Sequence, residues 1–508
     1  MIEENSDITK LHSGKVIAKN TFINLFCQFL PLLVGIITIP MLIKGLGIER
    51  FGILTLAWMV IGYFGLFDLG LGRALTQIIA HRLGKEEAIE LSGLVWTALA
   101  IMAIMGVIGA VIAGSLSPFL IAKVFKMPDQ LRPESLHAFY FLSASIPIII
   151  LSSGFVGILS AYQRFDLINA VRIPLGLATF IIPILVLSFS TSIAYITLFL
   201  ALSRLASCAA QYWLCLRIMP ALRRGKRCLP EAVKPLFIFG GWMTVSNIIS
   251  PLMVYLDRFI IGAVISVTAV AYYATPYEIV TKLWIIPGAL VATLFPAFAA
   301  TNNNDVSRTI QLLSKSIAAT FILIFPIVLA IVTFSPEGLT IWLGKDFANN
   351  SAPVLRWLAV GVFINCFASV VFALIQGRGR PDLTAKFHLL ELIFYLPLLW
   401  LALKQHGIVG AAVVWTLRVT IDGMLLLWAS QRLIPVARKL TLKISGYVIV
   451  ASVLFVFCGF SDSLTVRSIL FAITSLTFAA FSLFYLRRNG ISGILPPRGI
   501  ISKERHTS

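Results

Sequence analysis

Glu278 and Lys282 stand four residues apart in one apolar run, and Arg418 and Asp422 repeat the spacing in another. Four residues is about one helical turn, so each pair shares a helix face. An ionisable group in such a run is expensive to bury, and it marks a ligand or ion path unless a structural ion pair holds it. Both uses suit these pairs. Lys282 can serve as a buried cation tuned by its carboxylate neighbour, or the pair can lower the penalty of burial. Asp422 can hold a proton or sodium ion, or close a salt bridge with Arg418. Arg204 has no acid four residues away. Glu391 is a single carboxylate, suited to ion coupling or to a hydrogen bond with a neighbouring helix. Asp68 and Arg73, like Asp257 and Arg258, stand near the ends of apolar runs, where water or helix-end contacts satisfy them. Arg172 and Arg356 lie close enough to run ends to snorkel.

Enzymatic patterns are missing. The chain has no G-x-x-x-x-G-K-[ST] phosphate loop and no H-E-x-x-H, and its six histidines are scattered. The six cysteines form no C-x-x-C pair and read as small buried hydrophobes. No metal site and no cofactor is expected. The net charge of +19 is spread over short segments between apolar runs. That distribution, without zinc-finger, basic-zipper or RNA-binding signatures, excludes nucleic acid as a partner.

The elements that must position these charges are membrane helices. The 508 residues are 58% hydrophobic and only 12% charged, too few charges to cover a soluble surface of this size. Runs of roughly 20 apolar residues recur, and they predict about 14 spanning helices. The expected spans are Phe22–Ile43, Phe51–Leu71, Leu91–Ser115, Ala138–Leu159, Leu167–Leu187 and Ile193–Leu216. After a basic stretch come Pro235–Tyr255, Val270–Ala299, Ile317–Phe334 and Val354–Ile375, then Leu389–Leu403, Ile408–Trp428, Ile444–Phe460 and Ile469–Leu486. Backbone groups in lipid must be satisfied internally, which makes the class all-α integral membrane.

With the amino terminus inside, the cytoplasmic segments hold about 27 Lys and Arg against about nine outside, an asymmetry that one missing span would destroy. Both termini are therefore expected in the cytoplasm. The expected organisation is a tail (1–19), a first lobe (20–216), a basic inter-lobe loop (217–234), a second lobe (235–432), a closing helix pair (433–487) and a basic tail (488–508). The first span has no small-residue cleavage site after it and reads as a retained helix rather than a signal peptide. Prolines at 40, 147, 183, 251, 287, 296, 326 and 397 interrupt the spans, which suits helices that bend.

Two segments carry a family pattern. One is Phe51-Gly52 leading to Phe67-Asp-Leu-Gly-Leu-Gly-Arg-Ala-Leu75; the other is Tyr255-Leu-Asp-Arg-Phe-Ile-Ile-Gly262, continuing through Ala271-Tyr-Tyr-Ala to Leu294-Phe-Pro296. With their spacing, the chain resembles the polysaccharide (O-antigen type, Wzx-like) flippases of the multidrug/oligosaccharidyl-lipid/polysaccharide exporter superfamily. The resemblance implies two six-helix lobes in a V around a central cavity, with two further carboxy-terminal helices. It implies a bacterial inner-membrane protein moving a polyprenyl-pyrophosphate-linked glycan to the outer leaflet by alternating access. Membrane lipids, a polysaccharide polymerase and a chain-length regulator are the partners that go with that role.

A pyrophosphate cargo asks for cavity cations, and Lys282, Arg258, Arg204 and Arg418 are the candidates. Glu278, Glu391 and Asp422 are the ion-coupling candidates, and Asp68, Arg73 and Asp257 belong to the family motifs, with gating or helix-end roles. Two other readings compete: a multidrug or metabolite exporter of the same superfamily, and a membrane polymerase or ligase. The second would need a sizeable external catalytic loop, and the longest expected one, 116–137, holds only five charged residues: Lys123, Lys126, Asp129, Arg132 and Glu134.

Overall fold

The computed structural model describes residues 14–64, 88–224, 255–289, 306–378, 380–459 and 463–489, with isolated positions between them. These residues are helical almost throughout, and no strand occurs among them. Nine of the described helices are long and apolar enough to cross a membrane. The chain divides into two compact units, Met1–Ala271 and Tyr272–Ser508.

In the first unit α1 (Gly14–Leu46) turns into α2 (Ile48–Phe64) through Gly47, whose φ of 78° is the left-handed conformation that glycine adopts without strain. Next come α3 (Ala88–Phe119), α4 (Arg132–Ala161), α5 (Phe165–Leu187) and α6 (Ile193–Ile218). Residues 255–264 form α7, and α8 (Val267–Thr281) leads into the second unit. Glycine lets α3 and α4 approach closely, since a Cβ on Gly106 would sit 2.6 Å from the Cα of Pro147. The core between α3, α4 and α6 is built from Leu94, Ala98, Met102, Ile150, Ile158 and Cys215. At the α3–α4 end, Lys126 is clamped to the α7–α8 turn. Its N–H donates to the Gly262 carbonyl (3.0 Å), its carbonyl accepts from Val267 (3.1 Å), and its Nζ donates to the Val264 carbonyl. Glu134 at the start of α4 pairs with Arg50 of α2 (3.3 Å) and accepts the N–H of Ile193, joining three helix ends.

In the second unit α9 (Val306–Leu343) is broken at Phe334, where φ is −106° and ψ 19°, two residues before Pro336. It is followed by α10 (Lys345–Gly377). The helical run Pro381–Leu433 is interrupted at Gly407 (φ 59°, ψ −147°) into two arms, α11 and α12. A straight helix would hold residues 391 and 418 about 40 Å apart. Their side chains touch, so the run is a hairpin folded back at Gly407. Then come α13 (Arg438–Gly459) and α14 (Leu464–Asn489). Phenylalanines cement the unit: Phe325 of α9 stacks on Phe478 of α14 with ring centroids 4.4 Å apart and meets Phe455 of α13 at 5.1 Å.

Each expected span from the third to the sixth, and from the ninth onward, lies within a described helix, apart from Phe460 at the end of the thirteenth, which is outside the described residues. The helices run longer than their apolar stretches, because polar residues continue them beyond the hydrocarbon zone. Most of the expected span 235–255, and the basic loop from residue 225, fall outside the described residues. Large apolar side chains such as Ile104, Val107, Val111, Ile393 and Phe394 are exposed on helix surfaces, as lipid contact demands. Near three helix ends a Trp carries a cation one turn on. Arg217 lies 3.5 Å from the Trp213 ring, Lys404 3.6 Å from Trp400, and Arg432 5.2 Å from Trp428. Such aromatic–cation pairs belong at the level of lipid headgroups.

Candidate functional site

The α11–α12 hairpin brings together charges that the sequence keeps apart. His388, Glu391 and Tyr395 follow one another at spacings of three and four residues, on one face of α11. Trp415, Arg418 and Asp422 do the same on α12. The hairpin sets these faces against each other. Arg418 Nη1 lies 3.9 Å from Glu391 Oε2, and His388 Nε2 lies 3.8 Å from Asp422 Oδ1. The expected pairing of Arg418 with Asp422 along one helix gives way to pairing across the hairpin, because the folded-back arm offers each group a nearer partner.

The Arg418 guanidinium also lies 5.5 Å from the Tyr395 ring, and Phe372 of α10 stacks on His388 at 6.2 Å. Burial is deep: the Glu391 side chain is 3% exposed, Asp422 11% and Arg418 13%. Separations of 3.8–3.9 Å are ion contacts, too long for hydrogen bonds. Both Glu391 oxygens, Asp422 Oδ1 and Arg418 Nε have no hydrogen-bond partner. Two carboxylates against one guanidinium leave an excess negative charge, which a proton on the cluster or a bound monovalent cation would neutralise.

Glu278 and Lys282 pair as their spacing implies, with Nζ 3.3 Å from Oε2. Lys282 opens the tight turn Lys282–Trp284 that follows α8, and both side chains are nearly half exposed. The opposite face of α8 is buried. Tyr273 stacks on Tyr277, and Tyr277 meets the Trp415 ring edge-on at 5.6 Å, one turn from Arg418.

The remaining candidates are dispersed. Asp257 and Arg258 of α7 are both buried, at 0% and 2% exposure. Asp257 Oδ1 accepts the N–H of Arg258 (2.7 Å), and the Arg258 guanidinium lies 5.5 Å from the Tyr255 ring. Arg204 stands on α6 with its Nε shut off from solvent and without a hydrogen-bond partner. Asp68 and Arg73 lie outside the described residues.

Two charged residues went unread in the sequence. His388 joins the hairpin cluster, and its only signal was standing three residues before Glu391. Arg467 stands two residues before the last expected span, yet it is buried in α14. It donates to Glu337 from both terminal nitrogens (2.7 and 3.2 Å) and to the Thr333 carbonyl (2.7 Å).

Long apolar helices with ion clusters inside them, and no strand among the described residues, make the architecture of a multi-span transporter, and solved folds agree. An inward-facing multidrug-resistance MATE transporter of the MOP superfamily superposes with a TM-score of 0.65 at 17% identity, over 82% of this chain and 99% of that one. The lipid II flippase MurJ in an inward-closed conformation gives 0.64 at 13% identity, over 93% and 99%.

Sequence carries the assignment further. The family model described as polysaccharide biosynthesis protein matches residues 17–302. A Shigella flexneri protein named as an O-antigen transporter is 32% identical over 422 residues, 83% of this chain and 99% of that protein. A Haloferax volcanii protein named as a low-salt glycan biosynthesis flippase is 25% identical over 193 residues, 38% of this chain and 41% of its own. The chain belongs to the polysaccharide biosynthesis protein family, and these relatives are named as a transporter and a flippase rather than as enzymes.

Proposed function

We propose that this protein flips polyprenyl-pyrophosphate-linked oligosaccharide units, of the O-antigen or another surface-polysaccharide type, from the cytoplasmic to the outer leaflet of a bacterial inner membrane. The observation that carries the reading is the 32% identity to the Shigella O-antigen transporter over nearly that protein's whole length. In this reading about 14 helices span the bilayer as two six-helix lobes and a closing pair, with both termini cytoplasmic. The lobes alternate in exposing a cavity between them. A polymerase and a chain-length regulator then act on the delivered glycan.

Lys282 is the cation best suited to meet the pyrophosphate. It is accessible, and its carboxylate partner Glu278, 3.3 Å away, is exposed enough to release it. Arg204 and Arg258 are the further cavity cations, and Asp257, Asp68 and Arg73 hold helix ends as the lobes move. The hairpin cluster of His388, Glu391, Arg418 and Asp422 supplies coupling. A proton or sodium ion entering between the carboxyls weakens the hold of Glu391 on Arg418, and so the packing of α11 on α12.

The test is the lipid fraction of cells lacking the protein. Accumulation of polyprenyl-pyrophosphate oligosaccharide on the cytoplasmic face, with loss of surface glycan, supports the reading and identifies the cargo. An unchanged lipid pool with intact surface glycan, in a strain without a redundant flippase, refutes it in favour of small-molecule export.

A further inference from the structure

A second polar site lies within the first unit. The end of the unit that carries the α4–α5 turn contains a half-open cavity of ≈390 Å³, walled by α4, α5, α6 and residues Gly72 and Thr76. Its polar lining comes from Thr76, Ser153, Ser160, Arg172 and Gln211. Small residues shape it. A Cβ on Gly157 would collide with the Gly72 carbonyl, so glycine lets the two backbones close together. The Thr76 hydroxyl reaches both the Gly72 and the Gly157 carbonyl oxygens at 3.0 Å and locks that approach.

Two of the remaining polar groups, Gln211 and Arg172, are open to a ligand. Gln211 is 5% exposed, and its side-chain oxygen Oε1 has no hydrogen-bond partner. A buried acceptor left open destabilises the fold unless a donor reaches it. The Ser153 hydroxyl gives its proton to the Ile150 carbonyl (2.9 Å). Arg172 of α5 makes no ion pair among the described residues, and it is the cation among the described residues that line the cavity.

A planar cation beside a buried acceptor that needs a donor is the complement of a phosphate ester carrying a free hydroxyl. The volume falls in the range of small-molecule sites and suits one such group. We propose that this cavity binds a hydroxyl-bearing phosphate ester, with Arg172 on the phosphate and Gln211 on a hydroxyl. Two sources share that chemistry: the head of an anionic glycerophospholipid, and a soluble sugar or glycerol phosphate. The site stands independently of the flippase reading, since its described lining residues lie within one unit and its test uses no export assay.

The full chain, purified in neutral detergent, is titrated with glycerol 1-phosphate and glucose 1-phosphate while thermal unfolding is followed. In parallel, phosphatidylglycerol is offered in mixed micelles, and the lipids retained are counted by native mass spectrometry. The proposal expects saturable stabilisation by a soluble ester, or at least one tightly retained phosphatidylglycerol. It also expects Arg172→Gln and Gln211→Leu each to weaken that binding tenfold or more, with phosphatidylcholine retention unchanged. Binding of the soluble esters assigns the site to a soluble ligand, and retention of phosphatidylglycerol alone assigns it to the membrane. No binding by the wild-type protein, or binding that both variants keep at full strength, overturns the proposal. The second outcome would leave the cavity to water. Arg172 is exposed, so its variant carries the test even where Gln211→Leu fails to fold.

Discussion

The buried anchor at Arg467 gives a quantitative test of the second unit. Pro336 has no N–H, so the Val332 carbonyl lacks its usual helical donor, and the Ser335 hydroxyl replaces it only at 3.3 Å. The helix breaks at Phe334, and the Thr333 carbonyl just before the break accepts from Arg467 of α14. The same guanidinium grips Glu337 through two further bonds of 2.7 and 3.2 Å. Arg467→Met keeps the apolar stem and removes all three bonds. Hydrogen bonds to charged groups contribute about 1.5–3 kcal/mol each. Glu337 is 32% exposed and rehydrates when released, so its share must be discounted. The buried Thr333 carbonyl keeps its full loss.

The expected destabilisation is about 3 kcal/mol, at the lower edge of what breaking a buried ion pair entails. Glu337→Gln retains one hydrogen bond in the same shape and should lose about 1 kcal/mol. The double variant should be no less stable than Arg467→Met alone, since the two residues share one interaction. Reversible unfolding in mixed micelles, followed by tryptophan fluorescence, measures all four proteins. An Arg467→Met variant within about 1 kcal/mol of wild type, or strict additivity of the two changes, would refute the anchor.

Other consequences are equally open to measurement. Lys282→Ala should impair glycan export at matched protein levels while leaving membrane insertion intact, and normal export would remove the lysine from the transport path. Glu391→Gln and Asp422→Asn should each change how export responds to dissipation of the ion gradient; an unaltered response in both would leave the cluster a purely structural one. Gly407→Ala adds a side chain at a φ of 59° and ψ of −147°, with nothing within 4 Å to clash. Its loss of about 1–3 kcal/mol should therefore be backbone strain alone, and unfolding with no loss would show that the hairpin turns elsewhere. Gly361 faces the Trp415 ring, where a Cβ would come within 2.5 Å, so Gly361→Val should lower stability by about 1–3 kcal/mol through overpacking.

How far the sequence could be read depended on the range of the physics involved. Helix existence is local: an apolar run of sufficient length must be a helix in lipid, and α3–α6 and α9–α14 lie where the runs put them. The Glu278–Lys282 pair was legible for the same reason, being a contact along one turn. Contacts between helices carry no such signature. Arg418 and Asp422 have the spacing of a pair, yet each is held by the other arm of a hairpin whose closing angle depends on Gly407. His388 sits between Phe387 and Leu389 with only its three-residue step to Glu391 to mark it, and Arg467 counts with a loop by charge while its partners lie some 130 residues away. The polar cavity is the extreme case, because serine, threonine and glutamine are ordinary in membrane helices and only tertiary packing converges them on Arg172. The membrane makes this division sharp. Hydrophobicity decides only what enters the bilayer, because lipid is as apolar as leucine. Which helix faces which is left to small residues and to the few polar groups that must find partners. Gly361 against Trp415, Gly106 against Pro147, and Arg467 on Glu337 are that second layer of information, and each can be tested one residue at a time.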